Sequence, residues 1–322
     1  MATASRSVPG RARTFFQNVR AGDEVAYLIT FLFAASVLLV TAILVYELWV
    51  KSGPAIHKFG FSFLRTTTWD PVNDDFGALP FVYGTVVTSV IGLLLSVPLG
   101  VGAAIFLSEL APPRLSNTLT FLVELLAAVP SVIFGLLAIF ALVPLMRSYI
   151  QPALIGAFGW SPFFKGPAYG VGVLTASIVL AIMMFPYIIS ISREALIQVP
   201  REQREAALAL GATRWESTWD AVVPFARLGI VGSIFLSLAR ALGETMAVTM
   251  VIGNDPKINA SLLAPGYSIA AVIANEFTEA TGDLHLAALV ELGLVLFLIT
   301  IILNGVGQLL LMLTTRQGTA KS

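Results

Sequence analysis

The chain contains no cysteine. Disulfides, thiolate nucleophiles and cysteine-ligated metals are therefore excluded. Histidine is nearly as scarce, with only His57 and His285, so no metal site is expected. Charge is thin as well: 12% of the 322 residues are Asp, Glu, Lys or Arg, about half of the roughly 25% usual in soluble domains. The 19 basic and 19 acidic residues cancel, which excludes a strongly basic nucleic-acid binder. Disorder needs low hydrophobicity and high net charge, and this chain has neither. What it does have is apolar side chains, 57% of the total, with a mean hydropathy of +0.86. That composition defines a polytopic membrane protein, all-α in class.

Six apolar runs are long enough to cross a bilayer as helices, which takes about 20 residues each. They are expected near 25–50, 82–107, 119–146, 169–191, 225–252 and 286–313. The first run is too long for the apolar segment of a signal peptide. The domain plan is then a tail over 1–24, a first transmembrane helix over 25–50 and an extracytoplasmic loop over 51–81. A core transmembrane domain over 82–313 contains a cytoplasmic loop over 193–224, and a tail over 314–322 closes the chain. The 147–168 segment, with Pro152, Pro162 and Pro167, is expected to be too broken to span and to lie in the interface, where Trp160 and Phe163 suit the headgroup layer.

Basic residues set the orientation. Arg6, Arg11, Arg13, Arg20, Arg114, Arg193, Arg201, Arg204, Arg214, Arg316 and Lys321 fall on one side. They outnumber Lys51, Lys58, Arg65, Arg147, Lys165 and Lys257 on the other. Both termini are expected in the cytoplasm.

The 193–224 loop carries the most specific pattern. Pro200 can open a helix at no hydrogen-bond cost. Residues 201–210 are strong helix formers, and Gly211 is a natural stop. Glu205-Ala206-Ala207, Gly211 and Ala221-Val222-Val223-Pro224 follow at fixed spacing. This resembles the E-A-A loop of ABC importer permeases, with Ala221 and Val223 standing where Ile and Leu are usual. The resemblance implies a type I importer fold and a coupling helix. Glu205, Ala206, Ala207 and Gly211 would dock it against an ATP-binding subunit. The chain has no G-x-x-x-x-G-K-[ST] phosphate loop. It is therefore expected not to be an enzyme and to hold no cofactor, with ATP and Mg in a separate partner.

Span five carries Arg240 and Glu244, four residues apart. On a continuous helix they share one face and can form an ion pair. An arginine this deep costs several kcal/mol on any scale, so it must face protein or water. Its fork suits a tetrahedral oxyanion. Two readings stand: a transient anion site, with Thr245 and Ser131 adding hydroxyls nearby, or a buried pair that only fixes packing. Glu124 and Glu291 lie nearer the helix ends, where structural roles lead. Pro98, Pro130 and Pro186 are candidate kinks.

Three runs sharpen the resemblance: Gly77-Ala78-Leu79-Pro80-Phe81-Val82-Tyr83-Gly84-Thr85, Val129-Pro130-Ser131-Val132-Ile133-Phe134-Gly135, and Ala239-Arg240-Ala241-Leu242-Gly243-Glu244-Thr245. They are similar to the C-type permease subunits of phosphate-specific ABC importers of bacterial inner membranes. That implies a second permease subunit, two ATP-binding subunits and an extracytoplasmic phosphate-binding protein as partners, besides membrane lipid, and no nucleic acid. Two other classes remain in view. A secondary anion transporter or channel could use the Arg240/Glu244 pair without an ATPase. An intramembrane enzyme would need a nucleophile and base within reach of each other, and neither histidine lies deep in a span.

Overall fold

A computed structural model describes residues 23–319, and side-chain environments over 25–309. The helix ending at Lys51 is a unit by itself, and the chain from Ser52 onward forms another. The first unit is α1, Asp23–Lys51. Its 29 residues reach about 43 Å at 1.5 Å each, enough to cross a bilayer.

Five further helices of the second unit are long and apolar enough to span, making six among the described residues. They are α3 (Leu79–Leu110), α5 (Ser131–Phe158), α6 (Val173–Ile197), α8 (Arg214–Leu242) and α11, whose spanning stretch is Asp283–Leu309 and whose full length is Asp283–Thr319. Shorter helices are α2 (Gly53–Phe59), α4 (Pro113–Ala127), α7 (Arg201–Ala209), α9 (Met246–Thr249) and α10 (Ile269–Glu276). A two-residue hairpin pairs Trp69–Asp70 with Asp75–Phe76. The Asp70 carboxylate accepts from the backbone N–H groups of Val72 and Asn73 and from the Asn73 amide. Those bonds hold its pKa below the ordinary value. The turn is therefore fully braced above the ordinary carboxylate pKa and loosens as pH falls through the lowered one.

α3 and α6 make the most extensive helix pair. A Cβ on Gly100 would meet Ile188 Cγ2 at 2.7 Å, so the glycine sets how closely the two helices approach. Hydroxyls in this dry interior return to their own helices: Thr88 donates to Gly84 O and Ser177 to Val173 O. Ser192 and Ser233 share a 2.7 Å hydrogen bond that ties α6 to α8.

Apolar packing falls in three zones. Phe63, Phe76, Phe81 and Leu292 pack at the hairpin end. Leu180, Met184, Ile188 and Val251 fill the middle. Ile105, Leu196, Val199 and Val222 pack at the end bearing the 198–213 loop. The hairpin is pinned by Glu276, which accepts from Trp69 Nε1 at 2.9 Å and lies 3.1 Å from His285 Nε2. Nearby, Asn275 donates to the Tyr267 hydroxyl, whose pKa burial pushes up to about 12.

Proline explains most departures from the expected helix bounds. Among the described residues, wide five-residue π turns occupy Phe106–Leu110, Ala138–Leu142, Met146–Ile150 and Thr218–Val222. Each is followed two residues after its end by a proline: Pro112, Pro144, Pro152 and Pro224. A proline ring clashes with the carbonyl four residues back and offers no N–H. At Pro144, Pro152 and Pro224, widening the turn by one residue removes the clash and lets the helix continue, whereas at Pro112 the helix ends. Residues 147–158 are thus helical and belong to α5, not to a broken interfacial loop. The third crossing is instead interrupted at 128–130, where Pro130 separates α4 from α5. The segment long enough to span moves from the expected 119–146 to Ser131–Phe158. The cytoplasmic loop is also shorter than 193–224. A capping box, Thr213 with Glu216, starts α8 at Arg214. Ala221–Pro224 therefore lies inside a span.

Candidate functional site

Span five was expected to run unbroken to 252. It stops at Leu242. Gly243 follows, a poor helix former, and its N–H closes the last turn on Arg240 O at 3.2 Å. The chain then restarts as the single turn α9. Glu244 caps that turn by accepting from Ala247 N–H at 3.4 Å. Thr245 donates to Gly243 O, and Thr249 donates to Thr245 O.

This geometry corrects the ion pair. Among the described residues no salt bridge joins Arg240 to Glu244. The fixed register between positions 240 and 244 assumed a continuous helix, and the break at Gly243 removes it. The exposed guanidinium lies instead over the Tyr187 ring, its Cζ 4.4 Å from the centroid. Such a cation–π contact is worth about 0.5–1 kcal/mol where water reaches it. The Tyr187 hydroxyl donates to Ala127 O at 3.2 Å, the last residue of α4. Arg240 therefore rests on a ring anchored at the break in the third crossing.

Ser131 is the first residue of α5 beyond that break and is half-buried. The first N–H groups of α5 carry the positive end of a helix dipole. α5 also packs on α9: a Cβ on Gly135 would meet Ala247 Cα at 3.2 Å. Two interrupted helices and one arginine thus face a common region. Arg240 and Glu244 line one small cavity with Leu180, Met183, Met184 and Ala241. Its volume of about 10 Å³ leaves room for one water at most. A polyatomic anion does not fit in that cavity and would meet Arg240 on its exposed side.

The second cluster lies in the 198–213 loop. α7 starts after Pro200 and ends before Gly211, whose φ of +91° lies in the left-handed region that glycine tolerates. Glu205, Ala206 and Gly211 are exposed, Ala207 is half-buried, and Leu210 is 91% exposed at the tip. An apolar side chain so fully exposed at a loop tip marks a contact surface. Sequence patterning passed over Leu210 because it reads as part of the helix's apolar face.

Six helices among the described residues long enough to span, an arginine in the last turn of α8, interrupted helices and a projecting loop helix are the features of a membrane transport permease. The chain belongs to the family described as "Binding-protein-dependent transport system inner membrane component", which matches residues 96–312. It is therefore a multi-pass protein of the inner membrane, and a permease rather than an enzyme. It is 48% identical over 270 residues to the phosphate transport system permease protein PstC of Mesorhizobium japonicum, covering 83% of each chain. It is 47% identical over 275 residues to the PstC protein of Haemophilus influenzae, covering 84% of this chain and 87% of that one. Among solved structures, a bacterial ABC transporter importing the acidic polysaccharide alginate aligns with a TM-score of 0.57 at 16% identity, over 92% of this chain and 98% of that one. The MetNI methionine ABC transporter in an inward-facing conformation aligns with a TM-score of 0.55 at 16% identity, over 73% and 96%. These structural likenesses establish the ABC importer permease fold.

Proposed function

We propose that this chain is the transmembrane permease subunit of an ATP-driven importer of inorganic phosphate. The observation that carries the reading is 48% identity over 83% of the chain to a phosphate transport permease. The secondary-transporter alternative gains nothing from that kinship.

The loop end of the bundle faces the cytoplasm, as the excess of basic residues there supports. A second permease subunit completes the pathway. Two ATP-binding subunits hold ATP and Mg and dock against Glu205, Ala206, Ala207, Leu210 and Gly211. An extracytoplasmic binding protein delivers phosphate to the hairpin end. Closure of the ATP-binding subunits pushes α7, and the bundle rocks between outward and inward access.

Arg240, in the last turn of α8, supplies the anion site. At rest its guanidinium lies on Tyr187. A phosphate oxygen would offer it a charge-assisted hydrogen bond, a stronger partner than the ring. Ser131 and the start of α5 add donors and dipole. Thr245 and Glu244 shape the facing wall. The site is weak by design, because an ion held tightly would not leave.

Docking has a direct test. Affinity-purified wild-type chain, expressed with its partners, should carry the ATP-binding subunit through detergent purification. Leu210→Asp places a charge on the exposed tip and should reduce the retained subunit roughly tenfold, about 1.4 kcal/mol. Full retention by this variant would contradict the assigned docking surface.

A further inference from the structure

The loop helix is not merely presented; it is bolted to two spans by one arginine. Arg204 faces inward from α7, with 22% of its side chain exposed against 10% for Glu109. Its Nε donates to Glu109 Oε2 at 3.0 Å and its Nη2 to Glu109 Oε1 at 2.8 Å, a two-pronged contact across 95 residues of chain. Nη2 also donates to Leu196 O at 2.8 Å, and Nη1 donates to Val199 O. Leu196 lies in the last turn of α6 and Val199 two residues past its end, at the negative end of the helix dipole, where a cation is favoured. Ser217 of α8 donates to the Arg204 carbonyl at 3.5 Å. Glu109 itself sits in the π turn that ends α3.

Taking the chain as an ATP-driven permease, we propose that Arg204 and Glu109 form the joint that carries the displacement of α7 into α3 and α6. They are positioning residues: they touch neither nucleotide nor anion. The reason is geometric. A guanidinium with four donor contacts on two separate helices resists shear, whereas an apolar contact at the same place would slide. Without it α7 still docks through its outer face, but its movement dissipates within the loop. Hydrolysis then continues while transport falls.

The test uses the complete complex in proteoliposomes: both permeases, the ATP-binding subunits and the binding protein. ATP hydrolysed and labelled phosphate imported are measured in the same vesicles. Glu109→Gln keeps shape and removes charge, so it should fold; Arg204→Gln removes the fork. Both should raise the ATP consumed per phosphate imported at least fivefold while the ATP-binding subunit is retained at the wild-type ratio. Arg204→Lys, a charge without the fork, should fall between. The swap of Glu109→Arg with Arg204→Glu should not restore coupling, because a carboxylate cannot donate to the Leu196 and Val199 carbonyls. A wild-type ratio in Arg204→Gln and Glu109→Gln would overturn the joint. So would full rescue by the swap, or a loss of import that merely tracks loss of bound ATP-binding subunit. Absence of ATP-dependent import by the wild-type complex would instead overturn the permease reading on which the joint rests.

Discussion

Replacing Arg240 with alanine is expected to cut phosphate uptake by roughly 10- to 100-fold while leaving the protein folded and inserted. A charge-assisted hydrogen bond is worth about 1.5–3 kcal/mol, and each 1.4 kcal/mol is a factor of ten. The folding half of this expectation follows from the break at Gly243. Had Arg240 been paired with Glu244, its removal would strand a buried carboxylate, and instability would follow. Glu244 instead caps α9 through Ala247 N–H. What Arg240→Ala loses structurally is only the contact with Tyr187, about 0.5–1 kcal/mol. Glu244→Gln can still accept that N–H, so its melting curve should stay close to wild type. Uptake and thermal melting, measured on the same variants with matched membrane levels, separate these outcomes. An Arg240→Ala protein that transports like the wild type would remove the residue from the pathway. One that fails to insert would restore the paired-charge reading.

Gly84→Val is expected to act on the fold itself. Gly84 lies on α3 where the backbone of Tyr267 crosses it. A Cβ there would sit 2.0 Å from Tyr267 O and 2.8 Å from its carbonyl carbon. The atoms that would clash are backbone, so no rotamer can relieve them. The adjacent Thr85 hydroxyl accepts from Ile269 N–H at 2.9 Å in a buried setting. Pushing the segments apart breaks that bond and leaves the Ile269 N–H unsatisfied. Overpacking costs about 1–3 kcal/mol and an orphaned buried donor about 1–3 more. A combined loss of roughly 2–6 kcal/mol should lower the melting temperature in detergent by about 3–9 °C or abolish a monodisperse peak. Gly102→Ala is the control, because a Cβ at Gly102 meets nothing within 4 Å. Equal melting of Gly84→Val and the wild type would contradict the close crossing.

The chain's architecture was legible wherever it depends on local composition. Apolar runs located the spans, because every backbone group in a bilayer must be satisfied within a helix. The loop helix over 201–209 was legible from Pro200, a run of helix formers and Gly211. Helix interruptions were less so, since hydropathy is blind to them. The Ala128-Val129-Pro130 stretch is as apolar as its neighbours, so the third crossing appeared continuous over 119–146. Conversely, Pro152 suggested an end to helix where a π turn lets it run on. The rule that fits all four cases, a wide turn closing two residues before a proline, is readable from sequence once the clash is considered. Within the candidate site, Arg240 stood out as a costly charge in an apolar run. Its partner did not, because Tyr187 is 53 positions away and joins it only through packing of α6 on α8. Glu109 and Arg204 were hidden for the same reason: nothing local distinguishes them from solvated charges at helix ends.

The central claim is that ATP hydrolysis by partner subunits moves inorganic phosphate through this chain. It is tested most directly in proteoliposomes holding the full complex, with the binding protein outside and ATP trapped inside. Labelled phosphate should accumulate only when ATP and Mg are enclosed. Unlabelled phosphate should compete for uptake, and sulfate should not. Accumulation driven by an ion gradient without ATP, or ATP-dependent uptake of sulfate in preference to phosphate, would contradict the account.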